Sequence, residues 1–471
     1  MFDLMILFAV FVASIIAFCC FHKKAKWQST VPGLKPSDPK EGNLADIAKA
    51  GSLHEFLLET HKKFGPIVSF WIRETMAISI STPELFSEHG TYFDRPPQMY
   101  KSFLPLIGAK SIVYTNGTEG RQRRKLYDSC YSHQEVNSLY PLFNEIVGEL
   151  IEKWSAKVDG QHIPALSAMT ALTLKSITRG SFGDYFKDEE QITAFTECFD
   201  TSWAKMEHTL SSVPPVPGSA EEKHFKSALG KLKSMVAEIV EYRRNNPATD
   251  GRRLLIDVIL ESDDDDQITS DSMTFFTGGF HTTASMMTWA LFFLAENTDV
   301  QEKLFKELAR TLDKNEDMTP DLIEEMPYLR QVIDETLRLA VISPTAARYK
   351  PDTDIMLGGY IVPQGTPVLH SFGVCFRDEK LYPQPQIFDP ERFSKERVKA
   401  RPTHAFEPFG FAGKRKCPGF RFTQSESYIY IARIIRYFEI KLVPDQVITP
   451  VYGMITRPNN EIWITIAERN E

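Results

Sequence analysis

The sequence has 471 residues, 42% of them hydrophobic, and a net charge of -8 at neutral pH. This is the composition of a globular protein with a large core, and the negative balance argues against general nucleic-acid binding. Length alone allows about three domains, yet no Gly/Ser linker, low-complexity tract or internal repeat divides the chain. Of six cysteines, Cys19 and Cys20 are adjacent, while Cys130, Cys198, Cys375 and Cys417 are isolated. That is no disulfide framework, and it fits a reducing compartment. The one Asn-x-Ser/Thr sequon, Asn116-Gly117-Thr118, would then meet no glycosylation machinery.

Leu4 to Phe21 is almost purely apolar and is followed at once by Lys23, Lys24 and Lys26. At helical rise the run spans roughly 27 Å, near the thickness of a bilayer core. The lysines behind it put that flank on the cytoplasmic side. A cleaved signal peptide is disfavoured, because the charges follow the run and no small-x-small site closes it. Residues 1–22 therefore read as a single-pass anchor and residues 23–35, with Pro32 and Pro36 nearby, as a stiff basic linker. Residues 36–471 read as one domain.

Pro66 to Ser81 has the alternation of a hairpin, turning at Arg73-Glu74-Thr75. From Thr82 to Glu261 the pattern is mostly helical. Thr115 to Ser132 holds a basic helix with Arg121, Arg123, Arg124 and Lys125. Val213 to Gly218, VPPVPG, breaks the helical pattern. The run Asp263 to Asp266 reads as a solvated turn into the next helix, Asp271 to Asn297. That helix is apolar enough to raise the question of a second membrane span. His281 near its middle speaks for a buried helix instead, with Gly278, Gly279, Thr282 and Thr283 around it.

Glu335 and Arg338 lie three apart, on one helix face, and can pair. Asp354 to Ser371 reads as a hairpin through Pro363-Gln364-Gly365, and Phe388 to Phe393 carries Pro390-Glu391-Arg392-Phe393. Phe406 to Arg421, FEPFGFAGKRKCPGFR, presents Cys417 in a glycine loop. A cysteine so placed can offer a thiolate to a metal, given positive charge and backbone donors nearby. Lys414, Arg415 and Lys416 supply the charge, and Gly413 and Gly419 allow the backbone to approach. Glu439 to Val443 and Glu461 to Ile466 read as short strands, with a turn at Tyr452-Gly453-Met454 between them.

The order of these motifs resembles the cytochromes P-450, from about Pro32 to the C-terminus. Gly413-x-Arg415-x-Cys417-x-Gly419 after Pro408-Phe409-Gly410 is similar to that family's haem-binding loop. Phe409 lies eight residues before Cys417 where the family usually has seven, so the loop is one residue longer. Gly278-Gly279-Phe280-His281-Thr282-Thr283 is similar to the oxygen-activation motif, with His281 in place of its acid. Gly120 and Arg124 occupy the positions of a Trp-x-x-x-Arg signature. Gly120, His281 and the longer loop together resemble the orphan family 20 of animal cytochromes P-450.

The resemblance implies a mainly α fold with small β-sheets and haem b (iron protoporphyrin IX) as cofactor. Cys417 would be the axial ligand of the iron. Arg415, Arg124 and Arg348 would meet the propionates, and Gly413 and Phe409 would shape the loop. Thr282 would hydrogen-bond dioxygen and relay protons; His281 would share that role or be a satisfied core histidine, and both stay open at this point. Glu335, Arg338 and Arg392 would be structural.

The reaction implied is insertion of one atom of O2 into a hydrophobic substrate. The substrate would be bound among Tyr92 to Ser111, Phe276, Phe280 and Val341 to Ala346. Electrons from NADPH would come through a separate flavoprotein reductase of the endoplasmic reticulum, because the chain has no Gly-x-Gly-x-x-Gly of its own. Lys414, Lys416, Arg121, Arg123 and Lys125 would form its docking face. The alternatives are a haem-thiolate isomerase or dehydratase needing no external electrons, and a haem-binding protein without turnover.

Overall fold

The computed structural model describes residues 30–157, 160–186, 189–211, 216–247 and 252–469. The expected anchor at Leu4 to Phe21, and Val213 to Pro215 of the helix-breaking segment, lie outside the described residues.

The helices that frame the site are α1 (Gly117–Ser129), α2 (Tyr140–Ser155), α3 (Ala165–Ile177), α4 (Glu189–Ser211), α5 (Ala220–Asn245), α6 (Asp265–Glu296), α7 (Pro327–Ala340) and α8 (Phe420–Tyr437). The strands are short. β1 (Ile67–Ile72) and β2 (Thr75–Ile80) form the expected hairpin, with Phe70 opposite Ala77 and Arg73 taking the left-handed turn position at φ 54°. The remaining strands come in two groups. β3 (Ile163–Pro164), β4 (Ala346–Arg348), β5 (Ile355–Leu357), β6 (Tyr360–Val362) and β7 (Val368–His370) precede the cysteine loop. β8 (Phe438–Leu442), β9 (Pro450–Tyr452), β10 (Thr456–Pro458) and β11 (Trp463–Glu468) follow it. One sheet has the order β1-β2-β7-β4, another β3-β11-β8, and β5–β6 and β9–β10 are separate pairs.

One expected hairpin is corrected. The chain does not fold back at Pro363-Gln364-Gly365. It turns at Gly358-Gly359, both at positive φ, to pair β5 with β6. Two glycines between strands suit the tight turn that matches strand twist. After Gly365 the chain crosses to the large sheet, where β7 runs parallel to β2 and antiparallel to β4.

Helix α6 is the axis of the molecule. Asp264 caps it by accepting from the amides of Asp266 and Gln267, and Asp265 and Asp266 complement the dipole in the first turn. The helix therefore starts six residues before Asp271. Most of its length is buried, including Phe275, Phe276, Phe280, Met286, Met287 and Trp289. Each such side chain contributes about 1.5–3 kcal/mol on leaving water. Gly279 lets α3 come close, since a Cβ there would stand 2.4 Å from Ile177 Cγ1. Among the described residues no helix is long and apolar enough to cross a membrane. The apolar character of α6 is that of a core helix.

The paired charges expected on α7 are closed within the protein. Glu335 accepts from Arg338 Nε at 2.6 Å and from a terminal nitrogen of the same guanidinium at 2.7 Å. Arg392 Nε approaches it at 3.4 Å, and the amide of Asp389 donates to it at 2.9 Å. Arg338 also donates to the carbonyls of Phe376 and Pro385. This cluster ties α7 to the segment leading into the cysteine loop.

Candidate haem-binding site

The cysteine loop is closed by a backbone hydrogen bond from the Cys417 amide to the Phe409 carbonyl, at 2.9 Å. Gly413 is required here. Its φ is 61°, and a Cβ would lie 2.1 Å from the Tyr92 carbonyl oxygen. Its amide donates to Gly90 O at 2.7 Å, which docks the loop on the Gly90–Phe93 segment. The loop carries two aromatic rings. Phe409 stays near Phe420, with centroids 6.2 Å apart. Phe411 swings into a cage of His404 at 4.2 Å, His370 at 5.4 Å and Phe86 at 6.1 Å.

Cys417 Sγ is accessible yet ringed by protein. Desolvation pushes the thiol up, while the Gly419 amide and the charges of Arg124 and Arg95 pull it down. The sulfur thus has a backbone donor and cations aimed at it, and a bound metal cation would complete the stabilisation of a thiolate.

Around the loop the fold gathers guanidinium groups. Arg124 from α1, Arg348 from β4 and Arg415 are all buried. Arg95 joins them, and its charge is felt at Arg348, Arg415 and Cys417. Their hydrogen bonds go mostly to carbonyls. Arg124 donates to Lys416 O at 2.6 Å, Arg348 to Ala347 O at 2.7 Å and Arg415 to Ile112 O at 3.0 Å. Among the described residues, the single carboxylate hydrogen-bonded to any of the four is Asp128, 2.9 Å from Arg124 Nε. The Nε atoms of Arg95, Arg348 and Arg415 are buried without a partner. Burial, then Arg95 and its neighbours, pulls Arg348 down to about 10. Burial, then Arg95, Arg348 and Arg124, pulls Arg415 down to about 8. A guanidinium gives up its proton only at far higher pH in water, so the cluster expresses this repulsion as a demand for anions. An anionic group with two carboxylates and a thiolate-seeking metal, as in haem, fits these residues.

Gly120, at the tryptophan position of the resemblance, has no room for a side chain. A Cβ would stand 2.4 Å from the Thr115 carbonyl oxygen. Phe93 lies beside it instead, with Arg415 4.2 Å and Arg121 4.6 Å from its ring centre. Neither Phe93 nor Arg95 stands out in the sequence, because no spacing ties them to the cysteine loop. The signal is a three-dimensional one, the docking of Gly413 on Tyr92 and Phe93.

On α6, Gly278 is exposed and nothing lies within 4 Å of its notional Cβ, although its neighbours on the helix are buried. Thr282, one turn on, shares that open face and donates from Oγ1 to Gly278 O at 2.9 Å. Thr283 turns the other way, towards Thr423 at 3.2 Å. His281 is boxed by Trp203 at 5.0 Å and Phe199 at 5.2 Å on α4. Burial first, then the charge of Arg457, holds its pKa down at about 3. The ring is neutral, and Nε2 has no partner.

Two expectations are corrected by burial. Arg123 is not part of the basic docking face expected for it: it is buried and ion-paired with Asp271. Phe276 and Phe280 line no open space, because they pack on Phe182, Phe195 and Phe199. The rows of Tyr92 to Ser111 and Val341 to Ala346 remain beside the site, Tyr92 through Gly413 and Ala346 through β4.

Comparison with known proteins agrees with this geometry. The family model described as Cytochrome P450 matches residues 32–465. The chain is 31% identical to cytochrome P450 20A1 of Bos taurus and 30% identical to that of Homo sapiens, over the full length of both chains in each case. It is 27% identical to probable cytochrome P450 6a21 of Drosophila melanogaster, over 91% of this chain and 92% of that one. The likeness to the 20A1 proteins agrees with the resemblance to family 20. A sulfur among buried cations, a glycine–threonine face on the central helix and a match along almost the whole sequence have one explanation: the chain belongs to the cytochrome P450 family of haem-dependent monooxygenases.

Proposed function

We propose that this protein is a membrane-anchored haem-thiolate monooxygenase that inserts one oxygen atom into a hydrophobic small molecule, with electrons from NADPH delivered by a separate flavoprotein reductase. The observation that carries the reading is the cluster of Arg95, Arg124, Arg348 and Arg415 beside Cys417, which has too few anions of its own.

In this reading Cys417 Sγ holds the iron of haem b. Arg124, Arg348 and Arg415 hold its propionates through charge-assisted hydrogen bonds, with Arg95 as a fourth cation. When bound, the cofactor supplies the oxidising chemistry, which thiolate ligation favours. Gly278 keeps α6 clear of the site, and Thr282 Oγ1, released from Gly278 O by a turn about χ1, presents a proton to the open face. The proton step is assigned to Thr282. His281 serves as a neutral wall residue towards α4, which its aromatic box supports.

The reductase face is assigned to Lys414, Arg121 and Lys125, which are exposed, with Lys416 half-buried over the Phe420 ring. Arg123 is left out. Steering by such a face weakens as salt rises, so the rate of reduction by the reductase should fall with ionic strength; a flat dependence would remove the assignment. Leu4 to Phe21 is proposed as the anchor in the endoplasmic reticulum, with the catalytic domain in the cytosol. Carbonate extraction should leave the full chain in the membrane and release a chain lacking residues 1–22.

The deciding experiment is a carbon monoxide difference spectrum of the reduced protein. A thiolate-ligated haem gives a Soret band far to the red of an imidazole-ligated one, and Cys417→Ser should lose that band. An unchanged spectrum in Cys417→Ser would sink the reading. Oxygen uptake that requires NADPH and the reductase separates a monooxygenase from an isomerase or dehydratase.

A further inference from the structure

The Arg415 guanidinium donates to two carbonyls of one loop, Ile112 O at 3.0 Å and Thr115 O. A buried ion pair, Asp271 with Arg123, holds the same two residues by their other polar groups. Asp271 Oδ1, on α6, accepts from the Ile112 amide at 2.7 Å. Its Oδ2 accepts from Arg123 and from the Tyr127 hydroxyl, both on α1. Arg123 in turn donates to Thr115 Oγ1 at 2.7 Å and to Lys110 O at 2.9 Å. Ser111 Oγ lies 2.6 Å from Thr274 Oγ1, a second tie from the loop to α6. Asp271 is wholly buried, and its three hydrogen bonds all belong to this bracket.

Gly120 makes the bracket matter. No side chain from that position of α1 can brace the loop, because the Thr115 carbonyl occupies the space. Asp271 also lies about two turns before Gly278 on the same helix, so the register of the open face of α6 and the position of Arg415 are joined through one carboxylate and one residue, Ile112, whose amide faces Asp271 and whose carbonyl faces Arg415.

We propose that Asp271 is a positioning residue: it holds Ile112 by its amide, with Arg123 holding Thr115 by its hydroxyl, and thereby sets where the Arg415 guanidinium meets its anion. The importance of that contact rests on the haem reading above, but the positioning itself does not.

The test uses the full chain with two readouts. The first is labelling of Arg415 by an arginine-selective dicarbonyl in cofactor-free protein. The second is transfer of haem from the loaded protein to apomyoglobin. In Asp271→Leu, which removes both acceptor oxygens, Arg415 should label faster, and haem should leave about tenfold faster, as for loss of a group behind a ligand. Asp271→Leu with Arg123→Met removes both charges and guards against failure to fold; it should show the same two effects. Tyr127→Phe removes one donor to the same carboxylate, spares the Ile112 contact and should change neither. In the double variant Asp271→Leu with Arg415→Lys, haem should leave no faster than from the worse single variant. Labelling of Arg415 at the parent rate in both Asp271 variants, or losses that multiply in the double variant, would overturn the proposal. A parent protein that takes up no haem would overturn the cofactor reading instead, and the labelling arm would still decide the positioning.

Discussion

Two clusters of arginine, buried but for the half-buried Arg95, support the cysteine loop and the segment leading into it, and they are settled differently. Around α7, Arg338 and Arg392 share Glu335, whose oxygens accept from Arg338 at 2.6 and 2.7 Å and from the Asp389 amide, with Arg392 Nε ion-paired to it at 3.4 Å but not hydrogen-bonded. Around the loop itself, Arg95, Arg124, Arg348 and Arg415 have carbonyl partners, one carboxylate on Arg124 and three orphaned Nε atoms. A buried charge costs several kcal/mol unless it is paired. The first cluster meets that cost within the chain and is finished when the chain folds. The second leaves it standing, which is what a site for an anionic cofactor does. Burial alone does not separate these two clusters; the count of partner anions does.

The comparison breaks most visibly at Glu335. Glu335→Gln leaves Arg338 and Arg392 buried without a counter-charge, and should cost about 3–5 kcal/mol of stability. Denaturant unfolding of the cofactor-free protein would show it as a lowered midpoint. Next in size is Gly120→Ala. Its Cβ would meet the Thr115 carbonyl at 2.4 Å, and overpacking of this kind costs about 1–3 kcal/mol. The loss should appear in cofactor-free protein too, since the clash is with the loop and not with a ligand. Arg348→Met should separate the two clusters by sign. Removing one of four mutually repelling cations should leave the cofactor-free protein at least as stable as the parent. Haem release should rise about tenfold, for a lost charge-assisted contact of about 1.4 kcal/mol. Equal destabilisation by Arg348→Met and Glu335→Gln in the cofactor-free state would mean that the two clusters are the same kind of object.

The sequence showed the chemistry more readily than its surroundings. Cys417, Arg415, Glu335, Arg338 and Arg392 sit in short motifs whose spacing is itself the signal. The β1–β2 hairpin and α6 followed from local pattern. What spacing does not encode is which residues meet from distant segments. Arg95 and Phe93 reach the loop because Gly413 docks on Tyr92. Arg123 looked like one more surface cation until the fold set Asp271 against it. The hairpin misplaced to Pro363-Gln364-Gly365 lost to a stronger turn signal a few residues earlier, Gly358-Gly359, whose two positive φ angles only glycine takes cheaply. Phe276 and Phe280 are apolar on a helix beside the site, which suits a pocket wall and a packed core equally; their rings against α4 decide for the core.

His281 gives a third answer to the same problem, neither paired nor waiting for a ligand, but neutral. Burial first, and then Arg457, holds its pKa at about 3 against an ordinary value of 6.5. Between those two pH values the unfolded chain binds a proton that the folded chain refuses. Stability contributed by this group is therefore complete above about pH 6.5 and is lost as pH falls towards 3, at up to about 1.4 kcal/mol per pH unit. His281→Gln has no such proton to refuse. Its unfolding free energy should fall less steeply than the parent's across that window, while at neutral pH the two should differ by the packing change alone. Parallel pH profiles for the two proteins would mean that His281 is charged or solvated in the fold, and would return it to consideration as a proton carrier alongside Thr282.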